Sequence, residues 1–166
     1  GTYTGTLLSE FDGDVQVDHV TIPLRSKNPL PYFVGAFRAG SASTDVVHVQ
    51  HEYGIFGPKS LWSWVFFPVL YLLTTFRETP VVLTLHSAWT RETVGPPLVP
   101  LKRVYVKLNN WMLVTGAAYL VFLSENCRER FAKSTSIDRY EVLPPGVHID
   151  TVEMSSSRAK GEFGYE

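Results

Sequence analysis

Four side chains suited to acid–base or ligand chemistry fall in two short stretches. Residues 48–54 read His48-Val49-Gln50-His51-Glu52-Tyr53-Gly54, and residues 84–89 read Thr84-Leu85-His86-Ser87-Ala88-Trp89. An imidazole and a carboxylate held together can move a proton or orient the hydroxyls of a sugar. The same residue types also ligate zinc. Spacing separates the options. His48 and His51 lie three apart, which on a strand sends them to opposite faces, and a His-Glu-x-x-His helix motif is absent. A zinc site of His51, Glu52 and His86 is the metal alternative, and it would make the chain a metal-dependent α/β hydrolase. His48, facing away from His51, reads as a satisfied core or edge histidine. Glu52 has an ordinary reading as well: it could cap a helix start or pair with Arg25.

Other chemistries lack their signatures. No Gly-x-Ser-x-Gly elbow surrounds Ser87. No Gly-x-Gly-x-x-Gly follows a strand, and Pro58-Lys59-Ser60 lacks the Gly-Lys-Ser of a phosphate-binding loop.

The elements that must hold these residues follow from periodicity. The spacing predicts a helix over 4–11, ending at Asp12-Gly13-Asp14, and a strand over 15–22, closed by Pro23. A helix starts at Asn28-Pro29 and reaches Arg38. Strands are expected at 45–50, 80–85, 118–123 and 140–143, with helices at 58–75, about 101–115 and 125–133. Strand and helix alternate, and the strands are nearly continuous in apolar residues, as in a parallel sheet buried between helices. The fold class is therefore α/β, a Rossmann-like three-layer sandwich with a mostly parallel sheet. Such sheets bind ligands beyond the carboxyl ends of their strands. There the sequence gathers its polar residues, at 23–26, 50–54, 85–89, 124–126 and 144–148. A doubly wound domain ordinarily starts on a strand, whereas this chain starts on a helix, so the first strand is expected to lie outside it.

Composition narrows the class. The 166 residues fit one domain, and 45% hydrophobic with 13% aromatic content can build a large core. A net charge of -1, from 15 basic and 16 acidic residues, gives no nucleic-acid footprint. The single cysteine, Cys127, can make no internal disulfide, which fits a reducing, cytoplasmic setting. No apolar secretory segment opens the chain. Residues 60–76 carry no charge but contain Pro68, and read as a buried core helix. The rival reading is a non-catalytic module whose Trp62 and Trp64 dock on a membrane or a partner. Residues 151–161 turn polar and Ser-rich, like a linker.

Taken in order, residues 45–54 (Asp45-Val-Val-His-Val-Gln-His-Glu-Tyr-Gly54), residues 80–86 (Pro80-Val-Val-Leu-Thr-Leu-His86) and residues 143–150 (Leu143-Pro-Pro-Gly-Val-His-Ile-Asp150) resemble the amino-terminal domain of glycosyltransferase family 4. The opening Gly1-Thr2-Tyr3-Thr4 looks like the end of that family's glycine loop. The family comprises retaining enzymes of GT-B architecture, with two Rossmann-like domains facing across a cleft. The resemblance implies that residues 1–150 form the acceptor-side domain and that 151–166 lead toward an absent donor-binding domain. The chain alone would then be inactive. It implies a hexose moved from a nucleotide-diphosphate sugar, a substrate rather than a cofactor, to a glycan or lipid-linked hydroxyl. No cofactor and no metal are expected, no nucleic acid binds, and peripheral contact with the inner membrane face is compatible. By the same resemblance His86 and Glu52 are catalytic. His51, Tyr53, Gly54, Ser87 and Trp89 line the acceptor. Gly1, Thr2, Ser124, Asn126 and Gly146 lie toward the donor. Thr115-Gly116-Ala117-Ala118 departs from the family's more usual Arg-x-Ala-Asp.

Overall fold

Four short β-prone segments become the strands of one sheet, two of them mainly apolar, and the helical stretches between them become its cover. The computed structural model describes residues 15–23 and 26–144. Helix α1 spans Leu30–Ser41 and strand β1 Val47–His51; a 3-10 turn at Pro58–Ser60 precedes helix α2, Ser63–Phe76. Strand β2 is Val81–Leu85, helix α3 Val99–Thr115, strand β3 Tyr119–Phe122, helix α4 Glu125–Ala132 and strand β4 Tyr140–Val142. The expected helix at 4–11, the residues Gly1, Thr2 and Gly146, and the linker at 151–166 lie outside the described residues.

The sheet is all parallel, in the order β1-β2-β3-β4. Each strand pairs with its successor, so the crossovers step one way across the sheet, and crossovers of one hand then stack on one face. Register fixes which residues share that face. Val47, Val49 and His51 pair with Val81, Leu83 and Leu85, and Leu83 and Leu85 pair in turn with Leu120 and Phe122. All of these are buried, in one core with Phe66, Phe67 and Leu70 of α2, Leu113 of α3 and Phe131 of α4. Tyr32 and Ala36 bring α1 into the same core. Burying each such side chain is worth about 1.5–3 kcal/mol, so this face holds the domain together. The other face carries His48, Gln50, Thr84 and His86. Only Thr84 of these is fully buried.

Two expectations are corrected. Residues 15–22 form no strand: they have no regular structure and are mostly exposed. Alternation supplies a side-chain pattern, but a strand also needs a partner edge for its backbone. The segment instead lies over α1, where Ile22 Cγ2 is 2.6 Å from the place a Cβ on Gly35 would occupy. Tyr32 Oη ties it down, its one hydrogen shared between Pro23 O (3.0 Å) and Ile55 O (2.9 Å). The continuous helix at 58–75 is also broken. Gly57, Lys59 and Ser60 all have positive φ (73°, 53° and 58°), so the chain turns before α2 starts at Ser63. Gly57 is needed twice over, since a Cβ there would run into the Trp62 indole.

Buried Phe66, Phe67 and Leu70 put one side of α2 in the core, while Trp64, Leu72 and Phe76 are exposed. Among the described residues no helix is long and apolar enough to cross a membrane.

Candidate functional site

The pleat of β1 sorts its residues. Because side chains alternate, Val47, Val49 and His51 point into the core while His48 and Gln50 take the opposite face. On β2, Thr84 is the residue opposite Gln50 in the register, and His86 follows the strand with its amide bonded to His51 O (3.1 Å). The result is a polar row that starts at His48 near the beginning of β1 and runs to the carboxyl ends of two neighbouring strands.

Its hydrogen bonds are short and continuous. His86 Nε2 lies 2.7 Å from Gln50 Oε1. Gln50 Nε2 lies 3.2 Å from His48 Nε2, which is 2.7 Å from Thr84 Oγ1. Beside this row, Ser87 Oγ donates to Glu52 Oε1 at 3.0 Å. Glu52, His86 and Ser87 are each half-buried, open enough to meet a ligand and sheltered enough to be held. Burial holds His86 below the usual histidine range, and the Glu52 carboxylate works against that by favouring the charged ring. His48 is exposed as a residue, but its ring edge lies against Thr84 and Gln50, and its pKa is lowered too, first by that desolvation and then by the charge of His86.

The other face contradicts the sequence expectation. His51 is 0% exposed and Tyr53 1%, so neither can line an acceptor at the strand ends. The His51 ring stacks on Phe56 (5.1 Å between centroids, 19°) and meets the edge of Tyr53 (4.7 Å, 87°). Neither of its ring nitrogens has a hydrogen-bond partner. Burial with no compensating bond lowers its pKa to about 3, with the charge of His86 a lesser cause. Tyr53 donates to Asn110 Oδ1 (2.7 Å), and Asn110 Nδ2 donates to Trp89 O (2.9 Å). Trp89 stacks on Tyr53 at 4.6 Å and 9°. Tyr53 thus braces the loop after β2 against α3, and burial pushes its hydroxyl pKa upward.

The remaining candidates are placed as follows. Gly54 is exposed, with nothing near a notional Cβ. Ser124 is the N-cap of α4, accepting from Cys127 N at 3.2 Å, so its hydroxyl serves the helix start. Asn126 is exposed in the first turn of α4. The zinc alternative fails on geometry, since His51 faces the core while Glu52 and His86 do not. Among the described residues no group of three or more His, Cys, Asp or Glu could hold a metal ion. A groove of about 460 Å³ lies elsewhere, lined by Lys107, Leu108, Trp111 and the Ser134–Ser136 turn that leads into β4. That is the amino end of the sheet.

Sequence reasoning missed Gln50, Thr84 and the part played by His48. The signal was available: positions 48 and 50 on β1 share one parity with 52 just past it, and 84 on β2 shares the facing parity with 86 just past it.

A family model described as Glycosyltransferase Family 4 matches residues 5–151. No curated protein and no solved structure matches the chain.

Proposed function

The chain belongs to glycosyltransferase family 4, and from that premise we propose that residues 1–150 form the acceptor-side domain of a retaining hexosyltransferase. On this reading residues 151–166 lead toward a donor-binding domain. The donor is a nucleotide-diphosphate sugar and the acceptor a hydroxyl on a glycan or lipid. The observation that carries the reading is the meeting of His86, Glu52 and Ser87 at the carboxyl ends of β1 and β2, where an open parallel sheet receives its ligands. An acceptor entering there meets a carboxylate that already accepts one hydroxyl, that of Ser87, and can accept another. It also meets an imidazole held through Gln50. Both groups suit the orientation of sugar hydroxyls and the movement of a proton.

The test is His86→Ala in the full-length protein, assayed with UDP- and GDP-hexoses. Turnover should fall at least about tenfold, a barrier change of about 1.4 kcal/mol. Unchanged turnover removes His86 from the site. Absence of calorimetric binding to any nucleotide sugar removes the reading itself.

For peripheral membrane contact we propose a surface on α3. Leu101, Val104, Leu108 and Trp111 are all exposed and share one helical stripe, with Arg103 and Lys107 exposed beside it. Anionic vesicles should co-sediment the protein, and Leu108→Glu with Trp111→Glu should abolish this. Equal sedimentation of the double variant rejects α3 as the contact.

A further inference from the structure

We infer that Gln50 is a positioning residue that forces His48 and His86 into opposite tautomers, so that the ring hydrogen of the site histidine is set from a neighbouring position on β1. Its side-chain amide lies between the two imidazoles. Oε1 is 2.7 Å from His86 Nε2 and Nε2 is 3.2 Å from His48 Nε2. A primary amide has one accepting end and one donating end. In the arrangement drawn by these distances, the Gln50 carbonyl accepts from His86 Nε2–H, and the Gln50 NH2 donates to an unprotonated His48 Nε2. Turning the amide over gives the one other consistent arrangement, in which His48 Nε2–H donates to the carbonyl and His86 Nε2 accepts. In both, only one of the two Nε2 atoms carries a hydrogen.

Thr84 allows either state. Its hydroxyl, 2.7 Å from His48 Nε2, can donate to a bare nitrogen or accept from a protonated one, sharing the single lone pair or single N–H of that atom with the Gln50 amide. Being 2% exposed, it has no competing water shell. The amide also opposes charging both rings together, because two Nε2–H groups would then face one carbonyl. The lowering of His48 by the charge of His86 runs in the same direction.

Among the described residues, these groups lie near the pair. Glu52 lies beyond β1 and favours the charged form of His86. His51 lies on the opposite face of β1 and is itself disfavoured from charging by His86. On α4, Cys127 feels both Arg130 and Glu52. None of these touches the Gln50 amide among the described contacts, so the coupling is a property of the Thr84–His48–Gln50–His86 row.

The effect on turnover rests on the role proposed above for His86, whereas the tautomer coupling does not. The experiment separates them. Long-range proton–nitrogen NMR of the ¹⁵N-labelled full-length protein, across pH 5 to 8, should show His48 and His86 in opposite neutral tautomers. Finding both as the same tautomer overturns the proposal. Gln50→Glu replaces the donating end with a second acceptor, so both rings should become Nε2–H and the His86 titration should rise by about one pH unit or more, as beside a new carboxylate. Gln50→Met keeps the length without either polar end and should uncouple the rings, so that the tautomer of one no longer follows that of the other. If both variants keep the wild-type tautomers, the coupling is wrong. The acid limb of kcat/KM in Gln50→Glu should follow the ring. A ring that moves without the rate profile moving refutes the role of His86 and leaves the coupling intact.

Discussion

Strand β1 has two sides, and each holds a histidine with a different fate. On one side His51 sits at 0% exposure against Phe56, Phe67 and Tyr53, with neither ring nitrogen bonded. On the other, His48 is exposed and hydrogen-bonded to Thr84 and Gln50, in a row that ends on His86. Residue type cannot account for the difference, because both are imidazoles three positions apart. Strand parity can: one residue of offset exchanges core for solvent along the whole strand. The core side trades hydrogen bonding for ring packing, and the site side trades packing for a connected polar row. A histidine beside a glutamate in the sequence is therefore no evidence of a joint site until the face is known.

The sharpest way to break this contrast is to remove the buried imidazole. His51 is neutral when folded, with its pKa lowered to about 3, against the ordinary value of about 6.5 in the unfolded chain. The unfolded state therefore binds the proton first. The neutral ring's contribution is fully present above the unfolded pKa and is lost as pH falls from about 6.5 toward 3. A single group of this kind costs about 1.4 kcal/mol per pH unit within that window, or roughly 2–3 kcal/mol by pH 4.5. His51→Phe keeps a flat ring of similar size and removes both unpaired nitrogens. Urea unfolding midpoints of wild type and His51→Phe should lie close at pH 8 and separate steadily below pH 6, with the variant the more stable. Turnover should stay within about threefold of wild type. Parallel pH profiles would show that His51 is not the buried, neutral group described, and a collapse in turnover would return it to the site face.

That contrast also marks how much the sequence could carry. The strand–helix alternation was legible because β2 and β3 are mainly apolar and β1 alternates apolar with polar residues, with Gly, Pro or polar punctuation between elements. The residues 80–85 expected as strand became Val81–Leu85, and the 45–50 run became Val47–His51. Where the pattern misled, long-range contacts decided. Residues 15–22 alternate like a strand, yet the packing of Ile22 beside Gly35 lays them over a helix. The site was half legible. Parity alone separates His48 from His51, but which side is the core depends on α2 bringing Phe67 under the sheet. No local spacing announces that. Tyr53 was misplaced for the same reason: its partner, Asn110, lies 57 residues further along the chain.

Tyr53→Phe gives the smallest and cleanest comparison between the sides. The Tyr53 hydroxyl is buried, donates to Asn110 Oδ1 at 2.7 Å, and touches no group of the His86 row among the described contacts. Removing it keeps the ring that stacks on Trp89 and on the His51 edge, but leaves Asn110 Oδ1 without its donor in a buried position. The cost should be about 1–2 kcal/mol, the range for orphaning a buried neutral acceptor. It should appear as a lower urea midpoint with an unchanged slope, because the same surface is exposed on unfolding. Since Asn110 still holds Trp89 O through its Nδ2, the loop carrying His86 and Ser87 stays in place and kcat/KM should change less than about twofold. If instead kcat/KM falls tenfold while the midpoint holds, the Tyr53 hydroxyl acts on the reacting groups, and the division of β1 into a packing side and a chemical side is wrong.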